Sequence, residues 1–463
     1  AMRLLEPVAL RIGLDAKEVA SIKSGYNGAE KANFQPITQK KQPTPTDDEL
    51  ADRWTAAHKH TCFGLGDWRR YEAGLWPVVS ELKIEKEVKK VLIEAKPEGV
   101  RPKAALVKSV TKMAKLDAVK DNELFDADAD LLVCKNGTLH IPTLELRPHT
   151  PTIYATTGVD YAYAPEAKAK YWNAFLIDLS MRISQQVVDF LQEFAGYVLT
   201  TDTSHEIAVW LYGPPGSGKS TFLEGLEAML CGRAGLLGLA DIERSQFALS
   251  NLPGKTLVIS TEQPNSYLAS THVLNTIISG ETITVERKFV DPVEITPRAK
   301  IAWAMNGLPR VSDPNSGLFR RVKVVEFPTI PEVERDPALK EAIKLEGAGI
   351  LNWALEGLAR LKKRGRFEIP HEIVTATDNF KNNNDIPRAF VEDCCVTGYD
   401  NKRNLYRVKS SQLYTAYKMW CIDSGHKPQS KTSIADDWKR LGFEQRRQSD
   451  GMYYYSVGLK QNV

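Results

Sequence analysis

The sequence predicts an α/β protein with a parallel sheet at its centre, a mainly helical region before it and a small basic domain after it. The stretch LYGPPGSGKST, residues 211–221, has the spacing G-x-x-x-x-G-K-[ST] and follows an apolar run that begins at Ile207. This order predicts a strand, a glycine-rich turn and a helix. From residue 205 to about residue 327, short β-rich runs alternate with helical segments, as in parallel sheets.

The chain of 463 residues is longer than one hydrophobic core usually supports, so we expect several domains. Residues 1–50 end in KKQPTPTDDE and are predicted to be a linker or the end of an upstream domain. Residues 51–203 are predicted to form a mainly helical domain that contains one strand-like part. Residues 204–384 are predicted to form the α/β domain, and residues 385–463 a C-terminal domain.

The composition is that of an ordinary globular protein, with 26% charged and 43% hydrophobic residues. No apolar run approaches the roughly 20 residues of a membrane span, so we expect no membrane segment. The six cysteines contain no C-x-x-C pair, which favours a reducing cytoplasm. The net charge is only +3, so any affinity for nucleic acid must come from local patches.

Two short runs have alternating side chains that can bind metals: His58, His60 and Cys62 in HKHTC, and Asp126, Asp128 and Asp130 in FDADADLL. The first run lacks a second ligand group at zinc-finger spacing. The second has no further acidic or histidine motif to complete a catalytic metal site. We therefore favour one face of a strand for the first run and a solvated strand edge for the second.

The glycine-rich loop is predicted to hold the phosphates of a nucleotide, because its glycines let successive backbone N–H groups turn inward and the next helix directs its positive end at them. Lys219 is expected to reach the terminal phosphates and Ser220 to hold Mg²⁺. An ordinary Gly-Pro turn is the alternative. The predicted binding residues are Gly213, Pro214, Pro215, Gly216, Ser217, Gly218, Lys219, Ser220 and Thr221.

Three further segments follow the loop in chain order. The buried-type strand KTLVIST is followed by Glu262, and the strand AKIAWAMN ends at Asn306. Ligands bind at the carboxyl edge of open parallel sheets, so Glu262 is expected to meet Mg²⁺ or polarise a water molecule, and Asn306 to orient the attacking water. Arg320 and Arg321 precede the strand VKVVEF. Each feature alone is weak, but together they are far more specific.

This order of motifs resembles that of the superfamily 3 helicases, within the AAA+ ATPases. Over about residues 60–460 the chain is similar to the helicase half of phage and plasmid primase-helicases, a group that includes the poxvirus primase-helicase. The matching pieces are GDWRRYEAGLW, LLVCKNGTLHI, FLQEFAGYVLT, ISGETITVERKF, AMNGLP, GLFRRVKVVEFP, GILNWALEGL and NDIPRAFVEDCC. The resemblance implies an AAA+-like P-loop core with a parallel sheet.

The resemblance also implies ATP and Mg²⁺ as cofactors. It gives a role to each candidate: Lys219 and Ser220 are Walker A, Glu262 is Walker B, Asn306 is sensor 1, and Arg320 or Arg321 is the arginine finger of a neighbouring subunit's site. Many relatives have two adjacent acids in Walker B, whereas Thr261 precedes Glu262 here. One carboxylate is therefore expected to serve both the metal and the attacking water.

As partners, the resemblance implies single-stranded and forked DNA, a homo-oligomeric ring of six subunits, and a primase domain upstream or in trans, in a bacterial host cell. The segment SGETITVERKFVDPVEITP is predicted to be a hairpin with Arg287, Lys288 and Phe289 at its tip. In the resembling family this hairpin grips DNA in the ring channel, and phosphate contacts with aromatic stacking suit such a grip. An ordinary surface hairpin is the alternative.

The C-terminal region, from Tyr399 onward, has twelve Lys or Arg against six Asp or Glu. Two predicted helices followed by two strands around SDG indicate a winged-helix-like domain. Trp420, Trp438 and the run Tyr453–Tyr455 are expected in its core. The candidate DNA contacts are Lys439, Arg440, Arg446 and Arg447, with a solvated face as the alternative.

These features together predict an ATP-driven replicative DNA helicase of a phage, plasmid or integrated element. One alternative is a DNA-binding AAA+ ATPase that remodels an origin without processive unwinding. A small-molecule P-loop kinase is a third hypothesis, which the additional domains and the basic C-terminal region disfavour.

Overall fold

A computed structural model describes residues 43–244, 247–263, 267–268, 270–287, 290–311, 316–399 and 404–460, together with residues 17, 18, 20, 21 and 24. The described residues from 43 onward divide into two compact units. One unit comprises residues 43–59 and 82–117, and the other comprises residues 60–81 and 118–460. In the described part, none of the helices combines the length and the apolar character needed to cross a membrane.

From residue 43 onward the helices are, in chain order, α1 (Asp47–Ala57), α2 (Glu81–Glu94), α3 (Ala104–Ala118), α4 (Lys170–Arg182), α5 (Gln185–Tyr197), α6 (Lys219–Leu230), α7 (Leu239–Arg244), α8 (His272–Ser279), α9 (Leu318–Arg321), α10 (Leu339–Lys344), α11 (Gly347–Arg364), α12 (His371–Asn384), α13 (Ile386–Cys394), α14 (Ser410–Asp423) and α15 (Lys431–Arg440). The strands are β1 (Thr61–Gly64), β2 (Asp67–Arg70), β3 (Val78–Val79), β4 (Leu131–Cys134), β5 (Gly137–His140), β6 (Glu145–Arg147), β7 (Ala208–Tyr212), β8 (Ala234–Leu236), β9 (Leu257–Gln263), β10 (Tyr267–Leu268), β11 (Ile283–Arg287), β12 (Val290–Ile295), β13 (Lys300–Met305), β14 (Arg310–Val311), β15 (Val322–Glu326), β16 (Cys395–Thr397), β17 (Arg407–Lys409), β18 (Glu444–Gln448), β19 (Gly451–Tyr455) and β20 (Val457–Leu459).

The smaller unit contains α1 and most of α2 and α3. A capping box begins α1, in which the side chains of Thr46 and Glu49 each accept a hydrogen bond from the other's backbone N–H. In α2 the buried residues Ile84, Val88 and Leu92 recur every four positions, as in an amphipathic helix.

The larger unit is built on a five-stranded sheet with the order β15-β7-β13-β9-β8, in which every pair of neighbours is parallel. The parallel sheet predicted from the sequence is thus confirmed. Alternate residues of β7 reach opposite faces. Val209 and Leu211 join a core with α4, α5, α6 and α11, whereas Ala208 and Trp210 join a second core with α8, α9 and α12. Both faces of the sheet are therefore covered by helices.

The C-terminal region contains the predicted elements as α14, α15, β18 and β19, and an antiparallel sheet of order β17-β19-β18. Its core includes Phe390, Tyr417, Trp438 and Tyr454. The expectation was wrong for Tyr453 and Tyr455, which are only partly buried, and Trp420 is likewise partly buried and packs against this core. Side chains alternate along a strand, so only Tyr454 of this run reaches the core.

Candidate functional site

The glycine-rich loop joins the buried strand β7 to α6, as the motif requires. Gly213, Gly216 and Gly218 have φ values of +154°, +76° and +91°, a region that L side chains rarely adopt. A Cβ on Gly213 would lie 2.1 Å from the carbonyl oxygen of Phe327. Phe327 directly follows the neighbouring strand β15, so this strand also excludes a side chain at position 213. Glycine is therefore required at these positions for the loop to adopt its turn between β7 and α6.

The Lys219 side chain is buried within this loop. Its Nζ donates to the carbonyl oxygens of Gly213 and Pro214, each at 2.7 Å, and to Ser217 Oγ at 3.2 Å. Burial lowers the pKa of Lys219. All three donors of this ammonium group are engaged within the loop, so a bound phosphate would have to replace at least one of these hydrogen bonds. Ser220 and Thr221 follow in the first turn of α6, which spans twelve residues.

Glu262 and Asn306 lie at the same edge of the sheet as the loop. Met305 pairs with Tyr212 and Gln263, and its carbonyl oxygen accepts a hydrogen bond from Gly213 N at 3.2 Å. Asn306 is therefore next to the loop and between the ends of β7 and β9. The register of β9 against β13 shifts just before this end, and Glu262 is exposed there. The carboxylate of Glu262, the amide of Asn306 and the hydroxyl of Ser220 are groups of the kind that bind Mg²⁺ or water.

Arg320 and Arg321 lie at the opposite edge of the sheet, because α9 immediately precedes β15, which runs parallel to β7. The five residues of β15 span about 17 Å, so these side chains begin far from the loop of their own chain. The Arg321 side chain is 10% exposed and contacts Glu206 at 2.7 Å, whereas the Arg320 side chain is 70% exposed with its Glu206 contact at 3.5 Å. The two arginines therefore differ in how freely they could meet another molecule.

The predicted hairpin is present as β11 and β12, which pair from Ile283 with Ile295 to Arg287 with Val290. Val285 is buried at its base, in the core that also contains α8. Lys288, Phe289 and the side chain of Arg287 lie outside the described residues. The DNA contact assigned to these three residues remains a prediction.

The four basic residues predicted in the C-terminal region have different surroundings. Arg440 contacts Asp385 and Asp437 at 2.7 and 3.0 Å, so its guanidinium group already joins α15 to the start of α13. Lys439, Arg446 and Arg447 are exposed. Arg446 lies 4.9 Å from the ring centre of Tyr455 and also binds Glu444.

Sequence reasoning missed two cations on β17, in the antiparallel sheet that also contains Arg446 and Arg447. Arg407 and Lys409 lie 5.7 and 5.9 Å from the ring centre of Tyr453. The pairing register aligns them with Tyr455 and Tyr453, on the side away from the core. The alternation of RVK around the buried Val408 was the available signal.

A cavity of about 530 Å³ adjoins the loop, and the sequence motifs gave no sign of it. One wall comes from Phe175 and Asp178 of α4, and the other from Ile330, Arg335 and neighbouring residues that follow β15. Residues 330–340 resemble an ordinary polar loop in sequence. Only the return of the chain past the glycine-rich loop makes them part of the site.

In the described residues, no group of three or more His, Cys, Asp or Glu side chains is suitably placed to hold a metal ion. His58 Nδ1 instead bonds to the carbonyl oxygen of Trp54 at 2.8 Å, and Cys62 is buried. Both carboxylate oxygens of Asp126 accept hydrogen bonds from Thr156, at 2.8 and 2.6 Å. The strand geometry expected for both runs was wrong, because β1 begins only at Thr61 and residues 126–130 form an irregular segment before β4.

Comparison with protein-family models gave matches over two parts of the chain. Residues 49–180 match a family model described as D5 N terminal like, and residues 211–321 match DUF5906, a family of unknown function. A solved apo structure, the A form of the NrS-1 C-terminal region (305–718), is 12% identical, with a TM-score of 0.50, and the match covers 89% of this chain and 100% of that one. A second apo structure of that region is also 12% identical, with a TM-score of 0.49 and the same coverage. The match over residues 49–180 supports the resemblance of this chain to the phage primase-helicases, and the NrS-1 structure with the TM-score of 0.50 adds a similarity of fold.

Proposed function

We propose that the protein is an ATP-driven replicative DNA helicase of a phage, plasmid or integrated element, working as a ring of identical subunits. The observation that carries the proposal is the shared sheet edge where the glycine-rich loop meets Glu262 and Asn306, with Arg320 at the opposite edge. A site divided in this way suits hydrolysis at the boundary between two subunits. The D5 N terminal like match supports a role in replication.

In the proposed site, the loop N–H groups and Lys219 bind the phosphates of ATP. Ser220 and Glu262 are the proposed ligands of Mg²⁺, which when bound would neutralise negative charge on the β- and γ-phosphates. Glu262 also accepts the proton of the attacking water, and Asn306 orients that water. The exposure of both side chains beside the loop supports these roles.

Replacing Glu262 with glutamine is expected to preserve ATP binding while stopping hydrolysis. Glutamine keeps an oxygen for the metal but cannot take a proton, and general-base catalysis contributes about 10²- to 10⁴-fold in rate. The measurement is binding of fluorescent ATP alongside steady-state phosphate release. Equal losses of binding and turnover would instead make Glu262 mainly a metal ligand or a structural residue.

The proposed motion of DNA depends on the β11–β12 hairpin. Its base is fixed by the buried Val285, while its tip carries Arg287, Lys288 and Phe289 in the sequence. Lys288 is the proposed grip on a DNA phosphate, with Phe289 as a stacking partner for a base. The proposed peripheral DNA contacts lie in the C-terminal region. They are Lys439, Arg446 and Arg447, together with Arg407 and Lys409. The ion pairs of Arg440 favour a structural role for that residue.

The variant Lys288→Ala is expected to keep basal ATP hydrolysis but to lose its stimulation by single-stranded DNA. Loss of one phosphate contact should also reduce the slope of log affinity against log salt by about 0.7. Stimulated ATPase activity and DNA binding by anisotropy at several salt concentrations are the measurements. The matched control Arg447→Ala should weaken binding yet retain stimulation. Full stimulation and unwinding by an Arg287→Ala, Lys288→Ala double variant would contradict the proposed role of the hairpin and would mean that another segment contacts the DNA in the channel.

DNA-stimulated ATP hydrolysis by the unmodified protein tests the proposal as a whole. We expect turnover that requires Mg²⁺ and rises when single-stranded DNA is added. Transfer of phosphate to a small molecule, with no response to DNA, would favour the kinase hypothesis instead.

A further inference from the structure

The cavity beside the glycine-rich loop has mixed walls. Phe175, Ile330 and Pro337 supply apolar surface, and the loop from Gly216 to Thr221 forms one side. Phe175 is 7% exposed and packs against Trp172, with ring centres 5.6 Å apart, so this wall is well supported. A cavity of this size is suitable for the base and ribose of a nucleotide whose phosphates lie in the loop.

Arg335 lies directly over the loop. A Cβ added to Gly216 would come within 2.5 Å of the Arg335 Cζ and 2.7 Å of its Nη1. The Nε and Nη2 of Arg335 both donate to the carbonyl oxygen of Ile330, at 3.1 and 3.0 Å. These two bonds fix the guanidinium group across Gly216, and Nη1 makes neither of them.

The other charged groups of the cavity already have partners. Asp178 and Glu334 contact Arg182 at 2.8 and 2.5 Å, and Lys340 contacts Glu224 at 2.9 Å.

Asp336 Oδ1 accepts the N–H of Ala338 at 2.8 Å. Among the described residues, Arg335 has hydrogen bonds to the carbonyl oxygen of Ile330 but no carboxylate partner. Arg335 is therefore, besides Lys219, a cation of the described cavity wall without a carboxylate partner.

We infer that Arg335 is a second phosphate-binding cation of the site, acting in the same subunit as Lys219, and that the base of the nucleotide packs between Phe175 and Ile330. The inference rests on the proposed function, because it requires that the loop bind a nucleoside triphosphate. A planar guanidinium group fixed beside a phosphate-binding loop can donate two N–H groups to phosphate oxygens. Binding is then expected to depend on Arg335 more strongly as the number of phosphates increases.

The test compares the unmodified protein, Arg335→Ala and Arg335→Lys for binding of ATP, ADP and AMP by fluorescence competition. We expect Arg335→Ala to weaken ATP binding about 10- to 100-fold and AMP binding less than about threefold, as for loss of a charge-assisted hydrogen bond. The variant Arg335→Lys should recover part of the ATP affinity. Lys344→Ala is the matched control, since it removes one positive charge from α10 at a residue outside the cavity lining, and it should bind ATP nearly as the unmodified protein does.

Three results would overturn the inference. Normal ATP binding by Arg335→Ala would exclude a phosphate contact while leaving the proposed function intact. Equal losses for ATP and AMP, or a lower thermal midpoint of Arg335→Ala without ligand, would make Arg335 a structural residue. If the unmodified protein binds none of the three nucleotides, both the inference and the proposed function fail.

Discussion

The variant Lys219→Ala is expected to lose ATP hydrolysis and DNA unwinding while keeping its fold. Lys219 is the cation at the centre of the loop, and the hydrogen bonds of its Nζ to Gly213, Pro214 and Ser217 fix it there. Loss of a cation that stabilises the charge on the transferred phosphoryl group costs several kcal/mol, or at least about 10²-fold in rate. Because burial lowers the pKa of Lys219, the folded protein binds this proton less tightly than the unfolded chain does, so removal of the charge is not expected to destabilise the fold.

Steady-state phosphate release, circular dichroism and thermal unfolding of Lys219→Ala are the measurements. Lys344→Ala removes a positive charge from α10 outside the cavity lining and should retain most of the turnover. Near-normal hydrolysis by Lys219→Ala would contradict the assignment of the loop.

Arg320→Ala is expected to reduce ATP hydrolysis by about 10³-fold or more, the usual contribution of an arginine finger. The exposure of Arg320 and its weak 3.5 Å contact with Glu206 leave it available to the site of a neighbouring subunit. Arg321 is buried, and its 2.7 Å contact with Glu206 gives it a structural role in our account. Arg321→Ala should therefore lower the free energy of unfolding by about 1–2 kcal/mol, whereas Arg320→Ala should not.

Mixing the two kinds of inactive subunit tests whether the arginine acts across an interface. In rings formed from Arg320→Ala and Lys219→Ala subunits, some interfaces combine an intact Lys219 from one subunit with an intact Arg320 from its neighbour. Part of the ATPase activity should therefore return. Arg321→Ala mixed with Lys219→Ala serves as the comparison. If Arg320→Ala mixtures recover nothing in rings shown to be mixed, action in trans is not supported.

The sheet edge was predictable because short apolar runs followed by polar residues specify parallel strands and their carboxyl ends. The position of Glu262 and Asn306 at this edge could thus be predicted from the sequence, while their roles in hydrolysis remain predictions. The partners of Arg440 could not, since Asp385 lies 55 positions away and the contact depends on how α13 meets α15. The choice between Arg320 and Arg321 required the same kind of information, because adjacent residues of a short helix point in different directions.

The surroundings of two other sets of residues could not be predicted from the sequence. Tyr453 and Tyr455 were expected in the core on composition alone, although the period of a strand sends them to the side opposite Tyr454. Arg335 belongs to a polar loop with no motif, and its place over Gly216 arises from the return of the chain after β15. Contacts of this kind depend on tertiary packing, which local patterns do not encode.

Strand separation on forked DNA tests the central claim most directly. A duplex with single-stranded arms, labelled with a fluorophore and a quencher, would be mixed with the protein, ATP and Mg²⁺ in the presence of a trap strand. We expect strand release that requires hydrolysable ATP and is absent with Lys219→Ala. Binding of the fork and hydrolysis of ATP without strand release would contradict helicase action and favour an ATPase that remodels an origin.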